Sequence, residues 1–265
     1  MGKVRAFEFI VGDENMFKIV KCIKAIEELN VGEFNSLNIG VEIQDFIRIS
    51  LDDKCNESKV NAYKELLRNF RNIVSLHGPF LDLRPASPDP DIRRISYNKY
   101  LKAINIAKEL KANYIVFHSQ INPHINEPSL KRTLYLQTRD FWIDIITESG
   151  YEGVILIENV FEDTPRLLRE YIETINMPNV RINLDIGHAM LKESPLEYWI
   201  VELKDYIEYI HVHSNNGIYD EHKAPNTNEI KELKDLLQKY NINPVLSLEY
   251  VFDDLKDEIN RLNLC

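Results

Sequence analysis

The stretch Val154-Ile155-Leu156-Ile157-Glu158-Asn159 decides the fold. Four consecutive branched apolar residues with no polar residue between them read as a strand buried on both faces, the pattern of a parallel sheet covered by helices. The run stops on a carboxylate. A few residues later Asp163-Thr164-Pro165 reads as a helix start, with a capping side chain and proline in the first turn, before Leu167-Leu168-Arg169-Glu170. The local unit is strand, polar residue, helix.

Similar runs at 4–10, 39–43, 73–76, 114–117, 180–184, 207–212 and 245–248 bring the candidate strands to eight. Stretches of helical period lie between them. Residues 16–26 place apolar side chains three and four apart, 97–110 align Tyr100, Leu101, Ile104, Ala107 and Leu110 on one stripe, and 230–237 gives another helix. Eight alternating units in 265 residues predict an α/β fold, a (β/α)8 barrel spanning 1–265 as a single domain. A doubly wound open sheet is the competing arrangement. No GxGxxG or Walker loop follows a strand, so its nucleotide-binding versions lose support.

Composition narrows the function classes. Charged residues are 28%, the apolar set 44% and aromatics 10%, ordinary proportions for a folded chain rather than a disordered one. Three scattered cysteines, none in a CxxC pair, rule out a disulfide scaffold and fit a reducing, cytoplasmic compartment. No apolar run approaches the roughly 18 residues of a membrane span. The opening residues Met1 to Ala6 show no apolar signal core and lack the Ser or Thr that myristoylation favours. A net charge of −10 argues against a surface generally suited to nucleic acid.

The polar residues at the strand ends carry the chemistry. They are, in order, His77, His118, Glu158, Asp185 with His188, His211 with His213, and Glu249. Taken singly, each has an ordinary structural reading: a strand-end histidine is usually a hydrogen-bonded structural side chain, and Asp185 would cap a helix opening near His188. Together they differ. Histidine is seven of 265 residues, yet five lie at or within three residues of a strand end, beside three carboxylates. In a barrel all these ends meet on one rim. Buried carboxylates are costly unless paired or metal-bound, and mixed imidazole and carboxylate ligands suit zinc, manganese or a similar divalent ion.

The ordered set His–His–Glu–Asp-x-x-His–His–Asp-x-His–Glu resembles the xylose isomerase-like barrels, the superfamily that holds endonuclease IV, sugar epimerases and inositol-pathway isomerases. The resemblance runs from about Glu42 to Glu249 and includes His77-Gly78-Pro79-Phe80 and the loop Asp220-Glu221-His222. From endonuclease IV it implies one metal on His77 and His118 with Glu158 bridging to a second. That second ion would take Glu158, Asp185, His211 and Glu249, and a third would take His188, Asp220 and His222. From the epimerases it implies a single metal on Glu158, Asp185, His211 and Glu249, with His188 facing substrate. The chain departs from the family after His222, where Lys223-Ala224-Pro225-Asn226-Thr227-Asn228-Glu229 replaces a glycine-rich turn. Lys223 is also the only nearby cation, where many sugar isomerases carry an arginine.

Other residues have plainer expectations. By the period of two, His213 shares a face with His211 and would support the ligands or face substrate. Glu42 would line the barrel mouth or pair with a buried cation, and Lys223 would reach substrate. Arg84 is a candidate anion contact, Arg93 and Arg94 belong to a solvated helix face, and His124 to the surface. Trp142 and Trp199 are packing residues, and 253–258 is a solvated acidic helix face.

These readings give a metal-dependent isomerase or epimerase acting on a small-molecule sugar or sugar phosphate, with Glu158 and Glu249 exchanging a proton with substrate. The alternative is an endonuclease IV-like phosphodiesterase with a di- or trinuclear zinc site, the one reading with a nucleic-acid partner. A third reading is a non-catalytic metal-binding module. The acidic balance and mostly short strand–helix connections favour sugar chemistry.

Overall fold

The computed structural model describes residues 17–51 and 53–264. Eight strands, β1 (Ile19–Ile23), β2 (Gly40–Ile43), β3 (Val74–His77), β4 (Tyr114–His118), β5 (Val154–Glu158), β6 (Val180–Asp185), β7 (Ile207–Val212) and β8 (Val245–Leu248), pair in sequence order and close into a parallel barrel. The helices are α1 (Val31–Ser36), α2 (Asp53–Leu67), α3 (Pro90–Glu109), α4 (Pro128–Ser149), α5 (Pro165–Ile175), α6 (Ile186–Met190), α7 (Leu196–Leu203), α8 (Thr227–Lys239) and α9 (Leu255–Leu264). Among the described residues no helix is long and apolar enough to cross a membrane.

The first unit departs from expectation. The run 4–10, read as a strand, lies outside the described residues, and the stretch read as a helix over 16–26 contains β1 instead. Ile19, Val20, Cys22 and Ile23 fit helical spacing, but they are buried on both sides of a strand that pairs with β2 and β8. A strand packed on both faces loses its alternation, so its apolar pattern resembles a short helix. From β2 onward the strands fall where the runs are. Four of them, β3 to β6, extend one residue further to take in His77, His118, Glu158 and Asp185.

Helix starts follow local chemistry. Asp89 and Glu127 each accept hydrogen bonds from two backbone amides at the N-termini of α3 and α4, with proline in the first turn. Thr164 stands at the N-cap of α5 before Pro165, yet its side chain makes no capping bond.

Two packing regions result. The larger core lies between the sheet and its helices and holds the fully buried Trp142 and Trp199. A smaller cluster of Val20, Val116, Leu156, Tyr209 and Val245 fills the inside of the barrel. Side chains alternate along a strand, so the residues two further on share that inner face: His118 after Val116, Glu158 after Leu156, His211 after Tyr209. This parity turns the polar strand ends inward at one end of the barrel.

Candidate metal centre

Glu158 occupies the middle of the inner face and is buried. Its Oε2 lies 3.4 Å from His77 Nε2 and 3.5 Å from His211 Nδ1, and accepts from Asn183 Nδ2 at 3.1 Å. Its Oε1 lies 3.4 Å from His188 Nδ1 and 3.7 Å from His118 Nε2. Asp185, also buried, caps α6 by accepting from the His188 amide at 2.7 Å, and one of its oxygens lies 3.0 Å from His213 Nε2. Glu249 Oε2 is 2.9 Å from His211 Nδ1, while its Oε1 accepts from Gln44 Nε2 at 2.7 Å.

The rings are held from behind. His77 Nδ1 meets the Gly78 carbonyl at 2.9 Å, His188 Nδ1 the Asn159 carbonyl at 2.9 Å, and His222 Nδ1 the Glu249 carbonyl at 3.0 Å. A carbonyl only accepts, so each contact assigns a proton to Nδ1 and leaves Nε2 as the nitrogen that would bind a metal. His211 is reversed: its Nε2 meets Glu42 Oε2 at 3.0 Å and its Nδ1 points at the carboxylates. A second partner that fixes tautomer and ring plane is characteristic of metal-binding histidines. Phe80 adds a face, stacking on His118 with ring centroids 4.1 Å apart.

The loop after β7 folds back over the rim. Ser214 and Lys223 exchange backbone hydrogen bonds at 2.8 Å, which closes the loop and presents Asp220 and His222 to the barrel. Asp220 Oδ2 lies 2.8 Å from His222 Nε2 and 3.4 Å from His188 Nε2, and Oδ1 lies 3.5 Å from His213 Nδ1. The glycines absent after His222 are not needed here, because the chain enters α8 through a capping box between Asn226 and Glu229. The Glu229 side chain also accepts from Ser214 Oγ at 2.8 Å, tying helix to loop. His222 itself takes the left-handed φ of 50°, and its ring stacks on His213 at 4.2 Å.

This donor set fits a divalent cation. Among the described residues, five groups of three have ligand atoms all within 4.8 Å of one another, including His77–His118–Glu158, Glu158–Asp185–His211, Asp185–His213–Glu249 and His213–Asp220–His222. Among the described residues, the ion pairs of Glu158, Asp185, Asp220 and Glu249 run to histidines alone. His211 Nδ1 is buried without a hydrogen-bond partner, and with its Nε2 proton on Glu42 its lone pair would face Glu249. That arrangement is repulsive until a cation sits there, either a proton or a metal ion.

Burial alone would lower the pKa of His211, but Glu42, Glu249 and Glu158 raise it well above the ordinary imidazole value. Burial would raise that of Glu158, but His211 and His118 hold it well below the carboxylate range. Glu249 behaves alike, drawn down to about 2 chiefly by His211 against its burial. His118 is the exception: desolvation outweighs Glu158 and lowers it to about 4, leaving a neutral imidazole suited to a metal.

The nine residues of the endonuclease IV-like pattern thus gather at one rim, and His213 joins them as a buried bridge between Asp185 and Asp220. Glu42 lies below this layer, fully buried, and meets the site through His211. Lys223 is exposed and paired with Glu221 at 2.8 Å. His124 and Arg93 are exposed, as expected, and Arg93 also donates to the Ser87 carbonyl at 2.7 Å. The sequence reading missed the supporting residues Gln44, Asn183, Tyr209 and Ser247. The signal for three of them was present: Asn183, Tyr209 and Ser247 interrupt apolar strands at inward-facing positions.

Comparison with known proteins agrees with this architecture. MJ1311, an uncharacterized protein of Methanocaldococcus jannaschii, is 28% identical over 200 residues, 70% of this chain and 67% of that one. The TTHB071 protein of Thermus thermophilus, in a crystal soaked with ZnCl2, superposes with a TM-score of 0.71 at 22% identity, covering 93% of this chain and 96% of that one. A D-tagatose 3-epimerase-like protein gives a TM-score of 0.70 at 24% identity, covering 93% and 95%. The profile of the xylose isomerase-like TIM barrels matches residues 40–263, nearly the whole barrel from β2 onward, and by that match the chain belongs to this family.

Proposed function

We propose that the protein is a divalent-metal-dependent isomerase or epimerase of a small sugar or sugar phosphate. The observation that carries this reading is the placement of two ionised carboxylates about one ligand nitrogen, with Glu249 at 2.9 Å and Glu158 at 3.5 Å from His211 Nδ1. A zinc or manganese ion held by Glu158, Asp185, His211 and Glu249 would polarise a substrate carbonyl and its neighbouring hydroxyl. Glu158 takes the proton from the substrate carbon beside that carbonyl, and Glu249 returns one. Both are drawn below the usual carboxylate range, so both are unprotonated at neutral pH: Glu158 can accept the carbon proton directly, and Glu249 takes a proton from solvent before it returns one. His188 and His222 position substrate hydroxyls, and Phe80 shields one side of the rim. The D-tagatose 3-epimerase-like neighbour supports sugar as the substrate class.

A second reading has its own observation. The groups His77–His118–Glu158 and His213–Asp220–His222 flank the central one and would suit a trinuclear zinc phosphodiesterase acting on abasic DNA. Metal analysis of protein purified without chelators separates the two. One ion per chain, ketose epimerisation and no abasic-site incision are expected. Three ions per chain, with incision that His222→Ala abolishes, would install the phosphodiesterase instead.

A further inference from the structure

Outside the ring of candidate ligands lies a cavity of about 580 Å³, a size typical of small-molecule sites. Its walls come from the loops after β3, β4 and β5, from α4 and α5, and from Lys192 just after α6. None of the nine candidate ligands lines it, yet it adjoins them along the chain: Ser119 follows His118, Phe161 lies three residues past Glu158, and Lys192 four past His188. Its lining is cationic in a chain of net charge −10: Arg84, Lys131 and Lys192 against Asp163 alone. Even with Glu170 counted, which pairs with Lys131, the balance stays positive.

The three cations differ in availability. Lys131 is held by Glu170, and Lys192 donates to the Phe161 carbonyl at 3.2 Å. Arg84 is exposed, and among the described residues no side-chain hydrogen bond or ion pair occupies its guanidinium; only its backbone amide is fixed, by Ser96 Oγ at 2.8 Å. Tyr135 and Tyr171 also line the cavity. A planar guanidinium lining a partly apolar cavity that also holds two lysines favours an oxyanion attached to a less polar body. A phosphoryl group, with a charge near −1.5 to −2 at neutral pH, answers the excess positive charge better than a carboxylate does.

We propose that this cavity is a phosphoryl subsite centred on Arg84, taking the phosphate end of a phosphorylated small molecule whose sugar extends towards the metal rim. The sugar half rests on the isomerase reading; the phosphoryl half does not. Inorganic phosphate, D-fructose 6-phosphate and D-fructose, each titrated calorimetrically into the metal-loaded full chain and soaked into its crystals, test it. The expected result is saturable phosphate binding beside Arg84, weakened at least tenfold by Arg84→Ala, partly kept by Arg84→Lys, and retained in Glu158→Gln. Tighter binding of the sugar phosphate than of phosphate or fructose would assign the phosphoryl group to substrate, and equal binding of the two phosphates would assign it to free phosphate; both support the subsite. No saturable phosphate binding, or binding that survives Arg84→Ala and disappears in Glu158→Gln, would overturn it. Failure of the isomerase reading would appear separately, as wrong metal count or absent turnover, with the Arg84-dependent binding intact.

Discussion

The Nε2 atom of His211 lies 3.0 Å from Oε2 of Glu42, and both residues are completely buried. The same oxygen accepts from Tyr209 at 2.8 Å and Ser247 at 3.0 Å, so the carboxylate is fixed on several sides before it fixes the ring. Burial works against its charge, but His211 outweighs it and keeps the pKa of Glu42 below the ordinary value. The contact decides which nitrogen of His211 faces the centre.

Glu42→Gln should therefore weaken metal binding about 10–100-fold, the usual cost of losing a carboxylate behind a ligating histidine. An amide at that position can still accept a hydrogen bond but adds no negative charge. Chelator competition measures the affinity, and an unchanged value would show that Glu42 serves only packing.

Glu158→Gln acts on the centre itself. It keeps the side chain's shape and removes the charge that four imidazoles surround. Metal content of the purified variant should fall well below that of the parent, with far-ultraviolet circular dichroism unchanged. Equal content in the two proteins would remove Glu158 from the ligand set.

Gly187 makes room for His213. A Cβ at this position would stand 1.9 Å from the His213 Cε1 atom, a distance no packing tolerates. Gly187→Ala should destabilise the fold by about 1–3 kcal/mol, the usual range for overpacking, and push the His213 ring off Asp185. Thermal melting reads the first effect and metal affinity the second. A variant that melts like the parent would mean that the ring has an alternative seat.

His222 predicts a pH dependence. Burial lowers its pKa, but the Asp220 hydrogen bond and the charge of Glu249 raise it from 6.5 to about 9. A histidine whose folded pKa exceeds the unfolded one contributes stability that is complete below 6.5 and lost as pH rises through 9. The melting temperature of metal-stripped protein should fall across that window, and His222→Ala should remove part of the fall. Metal loading displaces the same proton, so the decline should flatten in loaded protein. A slope that is identical in the variant would exclude His222 as its source.

The barrel was legible because seven strands, β2 to β8, are short apolar runs ending at polar residues, and the helices between them carry caps and stripes. The first strand was not. Ile19, Val20, Cys22 and Ile23 satisfy two periods at once, and only pairing with β2 and β8 decides between them. At the rim, residue types revealed candidate ligands, but not how each is held. The carbonyl anchors of His77, His188 and His222, the depth of Glu42 and the Ser214–Lys223 bridge depend on chain segments brought together by folding. The cavity beside Arg84 has no linear signature at all, since its walls come from several separate segments.

Leu156 and Glu158 point the same way because they are two residues apart, and this ties assembly of the centre to correct folding. A one-residue slip of β5 would send Ile155 and Ile157 into the barrel and turn Glu158 out towards the helices. The slip would cost the core its shape and the rim its central charge together. A metal ion held there would act as a proofreading signal for strand pairing: a chain zipped in the wrong phase would have nothing to bind it with, and the ion, by favouring chains in phase, would draw the population towards them.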